Sequence, residues 1–228
     1  MRKITINLAA VAAFCIVVAS PALVSSSCAT PKTEQEDTTI IREDSGITAL
    51  KYSSPEVPAS IEFCGKTIDL SRFDRHERMD RELLAFTYMH STSLQMLKKA
   101  NRYFPIVEPI LKENGIPDDF KYLMVIESNM NPTARSSAGA AGLWQFMQGT
   151  GRDYGLEVNN NVDERYHIEK ATRAACRYLK DAYAKYKDWV AVAASYNAGQ
   201  ARIASQLAKQ DVDDSLDLQL VEAVSYTH

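Results

Sequence analysis

The sequence lacks a surplus of charge of either sign. Its 26 Lys and Arg residues against 29 Asp and Glu residues give a net charge of -3 over 228 residues. A protein that binds nucleic acid or another strongly anionic polymer usually carries a basic excess, because phosphate contacts supply much of the affinity. We therefore expect no nucleic-acid partner, and any polymer that this chain binds should not be strongly anionic.

The sequence also lacks a hydrophobic run long enough to span a bilayer with ease. The apolar stretch at 8–18 follows Arg2 and Lys3 and precedes the small residues of 21–27, which is the order of an export signal. Residues 1–27 are predicted to be a signal peptide, with an uncleaved anchor as the alternative. Cys28 could carry a lipid that attaches the protein to the membrane, although Ser25 stands where a lipobox usually has a large aliphatic residue. We expect export to the bacterial envelope and a periplasmic location.

Cysteines are few, and their spacing does not suggest a metal site. Cys15 lies in the signal, and Cys64 and Cys176 are far apart in the sequence. Cys176 falls on a helical pattern of small residues, so we expect it to be buried, and its pairing with Cys64 stays open. The acidic segment 211–217 has no Gly, so it does not fit a calcium loop. No metal is predicted.

Residues 28–60 are poor in aromatic residues and rich in Thr, Glu, Asp, Ser and Pro, which predicts a disordered linker. A short alternating segment at 61–70 predicts a hairpin around Gly65, and the apolar periodicity that follows is helical. With 46% apolar residues the chain can form a real core. The fold class is therefore mainly α with a small N-terminal β-hairpin, in one domain over 61–228. The helices are expected at 75–88, 91–113 (kinked or broken by Pro105 and Pro109), 143–149, 168–186, 189–196 and 202–209.

One stretch combines an apolar helical face with a carboxylate. After the helix start at 117–119, Phe120, Leu123, Met124 and Glu127 recur at i, i+3, i+4 and i+7, and Asn131-Pro132 ends the pattern. Glu127 is thus predicted in the last helical turn on the core side. Apolar surroundings and the negative helix end both raise the pKa of such a carboxyl, which suits a proton donor. A Glu with a purely structural role is the alternative.

Three short motifs stand in order along the chain: Glu127-Ser128, the segment 142–147 (GLWQFM) and the segment 195–199 (SYNAG). Together they resemble the signature of the lytic transglycosylases, the SLT domain of glycoside hydrolase family 23. The segments 118–123 and 163–187 make the membrane-bound type D enzymes the nearest resemblance. The resemblance covers roughly residues 72–208. It implies a lysozyme-like helical fold.

The resemblance also implies roles for individual residues. Glu127 would be the sole catalytic acid and base. The residues implied at the substrate are Ser136 near an N-acetyl group, Gln145 and Met147 in the sugar cleft, Tyr196 with its hydroxyl towards Glu127, Asn197, and Tyr226 in a late E-x-x-x-Y element. For several of these a structural role is the alternative: a turn residue at Ser136, core packing at Met147, and a hydroxyl bonded to the backbone at Tyr196. Ser195 replaces a usual Ala. The family's closing helix is not found after Tyr226, so we expect a C-terminally short domain.

The implied reaction cleaves the β-1,4 bond between N-acetylmuramic acid and N-acetylglucosamine of peptidoglycan and leaves a 1,6-anhydromuramic acid end. No second carboxylate accompanies Glu127 in the motifs, whereas ordinary glycosidases use two. Asp153, Glu157 and Asp163 all lie in a polar loop region. No cofactor is implied, and a monomer acting on glycan strands is expected. A lysozyme-type hydrolase and a non-catalytic peptidoglycan-binding protein remain alternatives.

Overall fold

The computed structural model describes residues 55–210, and the signal, most of the linker and the tail that contains Tyr226 lie outside this range. The fold is mainly helical, as predicted. Its elements in chain order are β1 (Ser60–Phe63), β2 (Lys66–Asp69), α1 (Phe73–Tyr88), α2 (His90–Glu113), a 3-10 helix (Asp118–Tyr122), α3 (Leu123–Ser128), α4 (Gln148–Asp153), a second 3-10 helix (Glu164–Tyr166), α5 (Ile168–Tyr186), α6 (Trp189–Ala198) and α7 (Gln200–Gln210). The domain divisions at residues 27 and 60 stay predictions.

The predicted hairpin is present, and its two turn residues have the backbone conformation that a tight hairpin requires. β1 and β2 pair antiparallel, and Cys64 and Gly65 between them both have positive φ angles, of 52° and 78°. Two such residues match the right-handed twist of the flanking strands. The backbone N–H of Cys64 donates to Asp119 Oδ2 at 2.6 Å. The hairpin is therefore bonded to the 3-10 helix that leads into α3.

The expected break at Pro105 or Pro109 was wrong, because α2 runs unbroken from His90 to Glu113 with both prolines inside it, and the alternative, a kink, stays a prediction. Each proline removes a backbone donor and leaves a carbonyl of the preceding turn without its helical partner. Both proline rings are exposed, so water can reach those carbonyls. The opposite face, which includes Val107 and Leu111, is fully buried and holds the helix to the core.

Small side chains on α5 allow α2 to pack closely against it. Ala171, Ala174, Ala175 and Ala182 are all at most 1% exposed, and α5 contacts both α2 and α6. Cys176 is fully buried in this interface, as predicted. Burial raises the pKa of its thiol to about 11. Cys176 and Cys64 do not form a disulfide with each other.

The helix expected at 143–149 was also wrong. Residues 142–145 form turns, Phe146 forms an isolated bridge, and α4 begins only at Gln148. Gly142 and Gln145 both have positive φ angles, of 79° and 48°, which a right-handed helix does not contain. Isolated bridges from Ala141 to Arg135 and to Phe146 hold this segment as a compact loop.

Candidate active site

Glu127 lies at the penultimate position of α3, in the last turn of that helix as predicted. The approach to it differs from the expected single helix, because Asp118–Tyr122 is a 3-10 helix and the α-helix starts at Leu123. Phe120, Leu123 and Met124 are buried, at most 1% exposed. Glu127 itself is half-buried. The apolar residues thus anchor the helix and leave the carboxylate at the margin of the core.

The helix that carries Glu127 ends one residue later, at Ser128. Asn129 and Met130 both adopt the left-handed conformation, with φ of 49° and 51°. Their N–H groups donate to the carbonyls of Val125 and Met124, at 2.9 and 3.1 Å, which satisfies the helix end. Lys99 of α2 donates from Nζ to the carbonyl of Asn129 at 3.0 Å, a favourable place for a cation. The end of α3 is therefore fixed on two sides.

Ser128 connects α3 to the loop that follows it. Its hydroxyl lies 2.9 Å from the carbonyl oxygen of Met124 and 3.0 Å from that of Leu143. The first carbonyl belongs to the serine's own helix, and the second belongs to the 142–147 motif. The two sequence motifs Glu127-Ser128 and 142–147 are thus in direct contact.

Ser136 begins the turn that leads into this loop. Its N–H donates to the carbonyl of Ala140 at 2.9 Å, and its hydroxyl oxygen accepts from the N–H of Ala140 at 3.0 Å. Gly139 N–H donates to the Ser136 carbonyl at 3.0 Å. Ser136 is half-buried and has at least a structural task in this turn, while its expected contact with substrate stays a prediction.

The side chain of Gln145 is held by backbone carbonyls. Its Nε2 donates to Gly142 O at 2.8 Å and to Ala134 O at 3.3 Å. The left-handed backbone of Gln145 turns the chain between buried Trp144 and buried Phe146. Met147 is 46% exposed, so it is not a core residue. An exposed thioether beside this loop is compatible with the predicted sugar contact.

Trp144 connects this loop to helices α5 and α6. Its side chain is fully buried, and Nε1 donates to Thr172 Oγ1 on α5 at 2.9 Å. The hydroxyl of Tyr196 on α6 donates to the Trp144 carbonyl at 2.8 Å. Its ring also packs against Tyr178 of α5, with the ring centroids 5.2 Å apart. Helices α5 and α6 therefore both bond to the loop beside Glu127.

The negative charge of Glu127 contributes to the raised pKa values of two tyrosines, Tyr196 and Tyr178. Burial raises the pKa of Tyr196 well above its ordinary value of 10.0, and the negative charge of Glu127 raises it further. Burial likewise raises the pKa of Tyr178, and Glu127 contributes there too. Both hydroxyls therefore stay protonated at neutral pH and remain hydrogen-bond donors. The motif residues Glu127 and Tyr196, 69 positions apart in the sequence, are close enough to interact electrostatically.

The other predicted residues fall in two groups. Ser195, which stands where the resembled signature has Ala, is fully buried, and its hydroxyl donates to the carbonyl of Val192 at 2.8 Å. The side chain of Asn197 and the whole of Tyr226 lie outside what the structure describes. Their expected roles at the substrate stay predictions.

A buried arginine that sequence reasoning did not single out holds the loop from the other side. Arg165 is 5% exposed and pairs with Asp163, with NH2 and Oδ2 2.7 Å apart. Its NH1 donates to the carbonyls of Gly139 and Phe146, at 2.8 and 3.0 Å. The only signal in the sequence is an Asp-x-Arg pair in a polar segment, and such pairs are usually solvated.

The three carboxylates of the polar segment are not equivalent. The hydrogen bond from Arg165 holds the pKa of Asp163 below its ordinary value, and Asp153 and Glu157 are exposed. Within residues 55–210, no group of three or more His, Cys, Asp and Glu side chains could hold a metal ion.

Residues 105–217 match the family model of the transglycosylase SLT domain. The chain therefore contains an SLT domain, and its fold is lysozyme-like. The match includes all three motifs and the pair that buried Arg165 forms with half-buried Asp163.

Two relatives have names that describe an activity. The chain is 31% identical over 128 residues to membrane-bound lytic murein transglycosylase D of Escherichia coli (strain K12), which is 56% of this chain and 27% of that protein. It is 33% identical over 93 residues to peptidoglycan transglycosylase gp16 of Escherichia phage T7, which is 40% of this chain and 7% of that protein. The matched part thus spans about a quarter or less of either relative. In the described part of the chain, no helix has both the length and the apolar character needed to cross a membrane.

Proposed function

We propose that this protein is a peptidoglycan lytic transglycosylase that uses Glu127 as its single acid and base. The observation that carries the proposal is the position of Glu127 within an SLT domain. Its half-buried carboxylate ends a short helix, and its charge acts on Tyr196 and Tyr178. The loop with Gln145 and Met147 is bonded to that same helix through Ser128.

The chemistry requires a proton at the glycosidic oxygen, because that oxygen is a poor leaving group. Glu127 in its protonated form donates this proton as the bond between N-acetylmuramic acid and N-acetylglucosamine breaks. In the mechanism that the family resemblance implies, the N-acetyl group of the substrate stabilises the positive charge at the anomeric carbon. The Glu127 carboxylate then takes the proton of the muramic acid 6-hydroxyl, whose oxygen closes the 1,6-anhydro ring.

The states of the three carboxylates in the polar segment are compatible with a single-acid mechanism. Asp163 is already paired with Arg165 and is held in its charged form. Asp153 and Glu157 are exposed, and the Glu157 carboxylate accepts a bond from its neighbour Asn159. In this proposal none of the three serves as a second catalytic carboxylate.

The remaining parts of the proposal concern the substrate and the location. Gln145, Met147, Tyr196 and Ser136 would line the glycan cleft, and Asn197 and Tyr226 would complete it. We further propose a periplasmic protein that acts as a monomer on glycan strands, with membrane attachment through Cys28. No nucleic acid, metal or organic cofactor enters the proposed reaction.

Replacement of Glu127 tests the proposal. Glu127→Gln keeps the size of the side chain but cannot donate the proton, so release of fragments from purified peptidoglycan should fall by about 10²–10⁴-fold or more. Glu113→Gln is the matched control, because Glu113 forms only an exposed ion pair with Arg173.

The control should release fragments like the wild type, and both variants should keep the wild-type melting temperature. Near wild-type release by Glu127→Gln would remove Glu127 from its role. If the wild type released nothing but still pelleted with cell walls, a non-catalytic binding protein would replace the proposed enzyme.

A further inference from the structure

Arg165 contacts the loop of residues 139–146 through its backbone carbonyl and its guanidinium, and its stem contacts α4. Its carbonyl oxygen lies 1.9 Å from where a Cβ on Gly142 would be, so the loop can approach it only because residue 142 is a glycine. Its side-chain stem passes Gly151 of α4, with Cγ 3.3 Å and Cδ 3.4 Å from a Cβ built there. Its guanidinium then reaches both ends of the loop, at Gly139 and Phe146.

The guanidinium has its bonds arranged in two sets. Nε and NH2 donate to the two carboxylate oxygens of Asp163, at 2.9 and 2.7 Å. NH1 donates to the two loop carbonyls, at 2.8 and 3.0 Å. A buried charge is costly unless it is paired and hydrogen-bonded, and Arg165 meets both conditions. A lysine has a single ammonium and could not reproduce this planar arrangement.

The loop that Arg165 holds carries three groups of the candidate site. They are the Leu143 carbonyl that faces Ser128, the Trp144 carbonyl that accepts from Tyr196, and the side chain of Gln145. Arg165 contacts none of Glu127, Tyr196 or Ser128 in these bonds. It acts on the site through the loop.

We propose that Arg165, oriented by Asp163, is a positioning residue that fixes the 139–146 loop in the geometry needed to hold the glycan against Glu127. The effect of Arg165 on turnover rests on the proposed function. The effect of Arg165 on the loop rests on the geometry alone. A loop displaced by an ångström at Gln145 should lower turnover about 10²-fold, because reacting groups must be placed closely.

Tryptophan fluorescence separates loop positioning from general stability. The sequence has two tryptophans, Trp144 in the loop and Trp189 on α6. Trp189 stacks on Tyr183 with ring centroids 4.0 Å apart, and Trp189→Phe keeps an aromatic ring there. In that background Trp144 is the sole reporter, and quenching by acrylamide measures how well the loop covers it.

The test compares Arg165→Met and Arg165→Lys with Arg173→Met, all in the Trp189→Phe background. Arg173 lies on α5 and forms an exposed ion pair with Glu113, so it is the matched control. We expect Arg165→Met to increase acrylamide quenching of Trp144 and to lower turnover about 10²-fold at temperatures where circular dichroism shows a folded protein. Arg165→Lys should show a smaller change in both, and Arg173→Met should change neither.

The possible results separate this inference from the proposed function. If the Arg165 variants lower only the melting temperature, while quenching and turnover of the folded protein match the control, Arg165 is structural and the inference is wrong. If Arg165→Met does not fold, Arg165→Lys decides by the same two measurements. If the wild type has no turnover, the proposed function fails, and the quenching of Trp144 still tests whether Arg165 holds the loop.

Discussion

The Tyr196 hydroxyl donates to the Trp144 carbonyl across 2.8 Å, and this bond joins α6 to the loop that follows the Glu127 helix. It makes the third motif of the sequence, around Tyr196, a direct neighbour of the second, around Trp144. Ser128 joins the second motif to the first through the carbonyl of Leu143. Three segments that are separate in the sequence therefore form one continuous hydrogen-bonded unit.

Tyr196→Phe should lower turnover and cost about 1 kcal/mol of stability, because the Trp144 carbonyl loses its donor. Tyr186→Phe is the control, since its hydroxyl also donates to a backbone carbonyl, that of Gln200, in a different part of the fold. Chemical denaturation and peptidoglycan turnover are measured on both. Equal stability losses with a turnover loss only in Tyr196→Phe support a role at the site. Unchanged turnover in Tyr196→Phe would leave that tyrosine with a structural role alone.

Gly142→Ala should destabilise the protein by more than about 1–2 kcal/mol, because φ is 79° and the new Cβ would meet the Arg165 carbonyl. Gly149→Ala is the matched control. Gly149 lies in α4, and nothing lies within 4 Å of a Cβ built there. That substitution should raise stability by up to about 1 kcal/mol, the usual difference between the two residues in a helix. Similar melting temperatures for the two variants would contradict the described loop geometry.

Acid should remove the stabilisation that Asp163 supplies. The hydrogen bond from Arg165 lowers the folded-state pKa of Asp163 below its ordinary value of 3.8. A lowered folded pKa gives stability that is present above 3.8 and is lost as the pH falls through the folded value. The free energy of unfolding of the wild type should therefore exceed that of Asp163→Asn at neutral pH, and the difference should shrink below pH 3.8. A difference that stays constant across this range would show that Asp163 is not the titrating group.

The sequence predicted the elements whose signal is local and periodic. The apolar spacing gave the bounds of α5 as 168–186, and the structure has Ile168–Tyr186. Glu127 falls in the last turn of its helix, because Phe120, Leu123 and Met124 form a buried stripe on the turns before it. These features follow from short-range spacing alone.

The features that the sequence did not predict depend on distant contacts. Pro105 and Pro109 are tolerated because the opposite face of α2 is buried against α5. The segment 143–146 is not helical, because Arg165 holds Gly139 and Phe146 at the ends of the 139–146 loop and Gly142 fits against the Arg165 carbonyl. Neither arrangement leaves a periodic pattern in the residues concerned.

The mass of the fragments released from purified peptidoglycan tests the proposed transglycosylase reaction most directly. Wild-type protein should release muropeptides that are lighter than the hydrolytic products by one water, because the muramic acid 6-hydroxyl replaces water as the nucleophile. Glu127→Gln should release neither kind. Fragments that carry the full mass of hydrolysis, with free reducing ends, would contradict the transglycosylase mechanism and identify a lysozyme-type hydrolase on the same fold.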